Sequence, residues 1–195
     1  FTKMSAMNAD ESTGKLMALK QLILQGRFTP PCLIFVGSAV RAERLYKDLL
    51  TWSATTLARP LPIDYLHSGR DQTHRQAVIE AFRAKKLWFL ITTDVLARGL
   101  DFPPLSAVIN YDFPDSTATY IHRIGRTGRA GRSGEAVTFY TQADLGELRI
   151  VVNVMKKSGG EVPEWMLDGF SKSRGQSRLK KKLKHTKAVE TQAGK

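Results

Sequence analysis

Short apolar runs alternate with longer, helix-periodic segments along most of this chain, and the alternation predicts its architecture. Residues 63–66 and 136–140 are short strand-like runs, residues 107–110 a mostly apolar one, and residues 32–36 and 87–91 are apolar throughout. Runs like these, bounded by Pro30-Pro31 or by polar residues, read as strands buried on both faces. Between them, residues 12–25 set Leu16, Leu19 and Ile23 on one helical stripe before a Gly26 stop. Residues 41–52 set Leu45, Leu49 and Trp52 on another. Helices are also expected over 73–82, 117–126 and 144–157, the last ended by Gly159-Gly160, while residues 52–62 read as a surface loop. Regular βα alternation predicts the α/β class, with a mostly parallel sheet, helices on both faces, and ligand sites beyond the carboxyl ends of the strands.

Composition adds a tail to this picture. A chain of 195 residues with 42% hydrophobic content suits one domain, or one domain with an extension. No run approaches the roughly 18 apolar residues of a membrane helix. The single cysteine, Cys32, lies in an apolar strand and reads as a small buried hydrophobe. Charge is unevenly placed: residues 171–187 hold eight Lys or Arg and no acid, which is +8 of the net +12. That segment has too few apolar residues to build a core. It reads either as a solvated tail or import signal, or as a contact for nucleic-acid phosphate.

Candidate chemistry concentrates in residues 120–132, Tyr-Ile-His-Arg-Ile-Gly-Arg-Thr-Gly-Arg-Ala-Gly-Arg. On a helix, His122 and Arg126 fall at i and i+4 on one face, and Arg129 follows where a Gly-rich loop begins. Guanidinium groups held on a rigid support are what phosphoryl transfer requires of an arginine finger. The rest of a nucleotide site is missing. No G-x-x-x-x-G-K-[ST] occurs, and Ser12-Thr13-Gly14-Lys15 lacks the leading glycine and the preceding strand. No metal-ligand spacing is present, because His67, His74, His122 and His185 stand apart.

The run His122-Arg123-Ile124-Gly125-Arg126-Thr127-Gly128-Arg129 resembles motif VI of the DEAD-box RNA helicases of superfamily 2. Residues 92–101, Thr-Thr-Asp-Val-Leu-Ala-Arg-Gly-Leu-Asp, resemble that family's motif V. Gln72-Thr73-His74-Arg75 resembles its QxxR element, residues 33–38 its motif IV, and residues 108–114 the strand before motif VI. The resemblance covers about residues 13–160 and implies a RecA-like three-layer α/β/α domain, the C-terminal one of two. It implies a domain plan of an interdomain linker remnant at 1–11, the RecA-like domain at 12–160, and an extension with a basic, disordered tail at 161–195. It also implies ATP as cofactor, with Mg2+ held by an N-terminal RecA-like domain that this sequence does not contain, so the chain alone is expected not to hydrolyse ATP.

Site roles follow from the same resemblance. Arg126 and Arg129 are the expected arginine fingers, with Gly99 and Asp101 on the ribose and phosphate side of the nucleotide. Ser38, Arg75, Thr93 and Gly99 are expected to grip the sugar-phosphate backbone of RNA, and His122 and Arg123 to contact the N-terminal domain. Taken singly, Asp101, Ser38 and Thr93 also read as cap or turn residues, and Gln72 reads as a residue that orients its helix. Two segments depart from the family pattern: His67-Ser68-Gly69 stands where His-Gly-Asp is usual, and Leu96 where alanine is common. Leu96, residues 161–166 and the basic tail are most similar to the branch that acts in small-subunit ribosomal RNA maturation. That branch implies pre-ribosomal RNA and ribosome-assembly factors as partners, no membrane, and a nuclear, nucleolar location. Two other readings stand beside it: a non-enzymatic RNA-binding or scaffolding module, and a DNA helicase of the same superfamily.

Overall fold

Three four-residue strands with every side chain buried form the centre of the sheet: β2 (Cys32–Phe35), β4 (Phe89–Thr92) and β5 (Ala107–Asn110). The computed structural model describes residues 2–8, 11–97, 100, 102, 105–128, 133–159, 162–164 and 166. The remaining elements are β1 (Thr2–Asn8), α1 (Glu11–Leu24), α2 (Ala39–Thr56), β3 (Ile63–Leu66), α3 (Gln72–Arg83), α4 (Asp94–Ala97), α5 (Thr117–Ile124), β6 (Gly134–Tyr140) and α6 (Arg149–Lys157). The sheet runs β1-β6-β5-β2-β4-β3, and each of its pairs is parallel. Alternate residues of a strand point to opposite faces, and two cores result. Cys32, Ile34, Ile91 and Ile109 pack with Leu19 and Leu22 of α1 and Leu45 and Leu49 of α2. Leu33, Phe35, Leu90 and Val108 pack with Val78, Ile79 and Phe82 of α3 and Ala97 of α4. Each fully buried side chain of this size contributes about 1.5–3 kcal/mol. The α/β/α layering and parallel sheet expected from the sequence are thus present.

Local chemistry sets the element boundaries. The Ser38 hydroxyl caps α2 by accepting from Arg41 N–H at 3.3 Å, the Asp71 carboxylate caps α3 through His74 N–H at 2.8 Å, and Ser116 caps α5 through Thr119 N–H at 3.1 Å. Helix α2 continues to Thr56, so residues 52–56 are helical where a loop is expected. Buried Ser53 holds that last turn, because its hydroxyl accepts the Leu61 amide at 3.1 Å and so ties the turn to the chain entering β3.

Two more segments differ from the sequence expectation. Residues 2–8, expected as linker, form β1, which extends the sheet edge along β6 from Thr2↔Gly134 to Asn8↔Tyr140. The helix expected over 144–157 begins only at Arg149, after a 3-10 turn at Gln142–Gly146. Gly146 lies in that stretch and disfavours α-helix there. The chain divides into two compact units, residues 1–142 with the sheet and α1 to α5, and residues 143–195. In the second unit, α6 buries Val151, Val152, Val154 and Met155 and exposes Asn153, Lys156 and Lys157. The basic tail lies outside the described residues. No helix among the described residues is long and apolar enough to cross a membrane.

Candidate nucleic-acid and nucleotide interface

Because the strands are parallel, their carboxyl ends lie on one edge of the sheet, and the expected motifs fall along it in the order of the strands. Tyr111-Asp112 follows β5, Gly37-Ser38 follows β2, Thr93-Asp94 follows β4, and His67 to Arg70 follows β3 and leads into α3. Asp112 organises the first two. Its carboxylate accepts from Arg41 Nε and an Arg41 terminal nitrogen, each at 2.5 Å, and from the Gly37 amide at 2.8 Å. Lys15, itself buried, approaches the same carboxylate at 3.8 Å. Hydrogen bonding to Asp112 raises the Arg41 pKa, so that cation is fixed at the start of α2. Ser38 is therefore both the helix cap and an exposed hydroxyl on the rim.

At the β3 end, Arg75 donates to the Gln72 side-chain oxygen, which orients the guanidinium along the first turn of α3. The Arg75 Nε is shielded and has no partner among the described residues, so this cation is only partly committed. His67 is buried and braced on both sides: Nε2 lies 3.1 Å from Glu43 Oε1, and Nδ1 accepts the Gly69 amide at 3.1 Å. A Cβ on Gly69 would sit 3.1 Å from that Nδ1. The divergent His67-Ser68-Gly69 turn is thus held from inside the domain. Thr93, half-buried, offers its carbonyl to the Ala97 amide at 3.1 Å and so starts α4. The unusual Leu96 packs onto the core beneath α4.

The most heavily bonded side chain of the site is Arg123. It is expected at an interdomain contact, yet it is 3% exposed. Its Nε and one terminal nitrogen each bond an Asp94 carboxylate oxygen at 2.7 Å. The other terminal nitrogen bonds the Asp112 carbonyl at 2.7 Å and Asn110 Oδ1 at 3.3 Å, and the guanidinium stands 5.0 Å from the Phe35 ring centre. A planar fork with five donors can span partners this separated, where a lysine could reach one. Arg123 therefore joins α4, α5 and the end of β5 within the domain. His122, its neighbour, is exposed.

Arg126 follows the end of α5, where Gly125 breaks the helix, and is half-buried. Among the described residues its guanidinium bonds only the Leu100 carbonyl, at 3.3 Å. Its remaining donors suit an anion, which is the fit a nucleotide phosphate requires. Gly99, Asp101 and Arg129 lie outside the described residues. Among the described residues no group of His, Cys, Asp or Glu could hold a metal ion. Burial pushes the Cys32 thiol up to about 12, consistent with an inert core residue.

Sequence reasoning missed Asp94, Asn110, Asp112 and Gly134. The last of these faces the end of the arginine segment, where Thr127 Oγ1 donates to the Leu105 carbonyl at 2.5 Å. A Cβ at Gly134 would stand 2.1 Å from Thr127 Oγ1 and 2.4 Å from the Gly128 amide nitrogen. Gly134→Ala is therefore expected to lower stability by about 1–3 kcal/mol through overpacking against backbone. Gly146→Ala, whose Cβ meets nothing within 4 Å, leaves stability unchanged or slightly higher. Thermal melting of both variants checks the pair, and equal melting temperatures would refute the close approach.

Residues 14–131 match the family of the helicase conserved C-terminal domain. The ATP-dependent RNA helicase ROK1 of Vanderwaltozyma polyspora is 51% identical over 153 residues, covering 78% of this chain and 26% of that protein. The probable ATP-dependent RNA helicase DDX52 of Bos taurus is 44% identical over 171 residues, covering 88% of this chain and 27% of that protein. The chain thus spans about a quarter of the length of these relatives. Among solved structures, the C-terminal domain of the DEAD-box protein Dbp5 matches with a TM-score of 0.67 and 33% identity, over 90% of this chain and 97% of that one. The yeast DEAD-box splicing factor Prp28 matches with a TM-score of 0.74 and 29% identity, over 87% of this chain and 37% of that one.

Proposed function

The chain belongs to the helicase conserved C-terminal domain family as the C-terminal RecA-like domain of a DEAD-box RNA helicase, and from that premise we propose that it works with a P-loop RecA-like domain as an ATP-dependent RNA helicase. The geometry that supports this best is the Arg123 fork. It locks the segment bearing Thr93 to the helix that leads to Arg126, so an RNA-facing group and a phosphate-facing group share one rigid support.

On this proposal, RNA lies along the rim that carries Ser38, Arg75 and Thr93, with Gly99 as a further contact. Hydroxyls, a cation and a glycine backbone suit sugar-phosphate contacts, which position a strand without reading its sequence. Arg126 and Arg129 would hold the γ-phosphate end of ATP, with Gly99 and Asp101 toward the ribose, and His122 would meet the P-loop domain. ATP supplies the phosphoryl group, and fixed guanidiniums stabilise charge in the transition state without reorganising. Mg2+ belongs to the P-loop domain on this proposal. The similarity of Leu96 and residues 161–166 to the small-subunit branch makes pre-ribosomal RNA the proposed substrate, ribosome-assembly factors the proposed partners and the nucleolus the proposed location.

The test is RNA-stimulated ATP hydrolysis by this chain alone and by the chain joined to a P-loop domain. The expected result is no turnover alone and RNA-dependent turnover when joined. Turnover by the chain alone would overturn the shared site, and RNA binding without turnover in both would favour a scaffold.

A further inference from the structure

The end of the sheet opposite the functional rim carries a second cationic surface. Helix α3 ends at Arg83, and the chain enters β4 through Ala84-Lys85-Lys86-Leu87-Trp88. Two main-chain bonds close this turn, from Lys85 N–H to the Phe82 carbonyl at 3.0 Å and from Lys86 N–H to the Ala81 carbonyl at 2.9 Å. This ending needs a left-handed residue, normally glycine. Lys85 fills it with φ +58, and among the described residues it is the one non-glycine with positive φ. A lysine held where glycine is the relaxed choice is a strained placement, and such strain collects at functional positions.

Beside it stands Trp88, 48% exposed. Its backbone is fixed from both sides: the amide donates to the Pro62 carbonyl at 2.6 Å, and the carbonyl accepts the Cys32 amide at 2.9 Å. The first of these bonds brings up the segment that contains exposed Arg59. Among the described residues no carboxylate pairs with Arg59, Lys85 or Lys86. The sequence has no acid between Asp48 and Asp64 or between Glu80 and Asp94. An exposed indole on a rigid backbone, in the same connection as two exposed lysines without a carboxylate partner among the described residues, offers base stacking and phosphate contact together. An acidic peptide would use the cations and leave the indole idle.

We propose that Arg59, Lys85, Lys86 and Trp88 form a second RNA-binding surface, which takes single-stranded RNA extending beyond the strand held at the rim. It rests on the helicase reading only for the identity of its ligand. The surface lies at the opposite ends of the strands from the rim, so RNA that fills the rim must extend beyond it to meet the indole.

Anisotropy titrations of this chain with a short RNA (about six nucleotides) and a long one (about 20 nucleotides) separate the two surfaces. Lys85→Gly combined with Lys86→Gln should weaken the long RNA by about tenfold and lower its salt slope by about 1.4, at about 0.7 for each phosphate no longer neutralised. Trp88→Ala should weaken the long RNA by about fivefold or more. Short-RNA binding should be unchanged in both variants and reduced by Arg75→Ala. Lys85→Gly alone relieves the left-handed strain, so its melting temperature should rise while long-RNA affinity falls, an opposition that misfolding cannot produce. Unchanged long-RNA affinity and slope in the double variant would overturn the surface. So would displacement by polyglutamate with RNA affinity intact, which would assign the patch to an acidic protein. Short-RNA binding that survives Arg75→Ala would count against the rim and leave this surface standing.

Discussion

Arg126→Ala, in a protein that joins this chain to a P-loop domain, is expected to lower RNA-stimulated ATP turnover by about 10³-fold or more and to leave nucleotide-free RNA binding unchanged. The expectation follows from how little else this side chain does. Among the described residues it makes one bond, at 3.3 Å, to the Leu100 carbonyl. Loss of a bond like that costs about 1 kcal/mol of stability or less. Charge that builds on a transferring phosphoryl group must be met by cations already in place, and removal of one preorganised donor is costly there. Arg126→Lys should recover little, because a point charge on a flexible stem does not reproduce a planar fork. Steady-state hydrolysis and a melting curve on the same preparation check the expectation. Wild-type turnover by the alanine variant would remove Arg126 from the chemistry, and a collapsed melting temperature would make it a structural residue.

The architecture was legible in the sequence where local pattern and tertiary role agree. Residues 32–36 and 87–91 are apolar runs that could be only buried strands or helix fragments, and their length decides for strands. Strand β1 was not legible, because Thr2–Asn8 has no apolar run and joins the sheet through its main chain along β6. The last turn of α2 was hidden for a related reason: Ser53 and Thr55 are weak helix formers, and the turn is held by the Ser53 bond to Leu61, eight residues away.

The site divides in the same way. Arg126, His122, Ser38 and Arg75 become candidates because motifs carry them, but the pairings that brace their surroundings could not be read. Asp94 meets Arg123 across 29 positions and Asp112 meets Arg41 across 71, and nothing local announces either pairing. The resemblance places Arg123 at a contact with the N-terminal domain, and nothing in its own segment signals its burial. Gly134 is similar, since the need for a missing Cβ exists only once Thr127 and Gly128 are packed against it. An aspartate two residues past the end of a buried strand, as in Asn110-Tyr111-Asp112 or Thr92-Thr93-Asp94, is the signal that could have been used.

Arg123→Ala is expected to destabilise this chain, on its own, by about 3 kcal/mol, the cost of leaving one partner of a buried ion pair uncompensated. For a domain of this size that lowers the melting temperature by roughly 10 °C. The mutation strands more than a charge: the Asp94 carboxylate, Asn110 Oδ1 and the Asp112 carbonyl each lose a donor, while Asn110 keeps its 3.0 Å bond to Thr138. Arg123→Lys should restore only part of the loss. A double-mutant cycle with Asp94→Asn isolates the pair, and strong coupling, about 1.5 kcal/mol or more, is expected for contacting groups in one network. An interdomain contact predicts the opposite pattern, with no change in the melting temperature of the chain alone and a defect only when a second domain is present. Function discriminates further. Arg126→Ala should affect turnover alone, whereas Arg123→Ala releases both α4 and α5 and should weaken RNA binding through Thr93 and turnover through Arg126 together. If RNA affinity survives Arg123→Ala intact while turnover falls, the fork does not tie the two halves of the site.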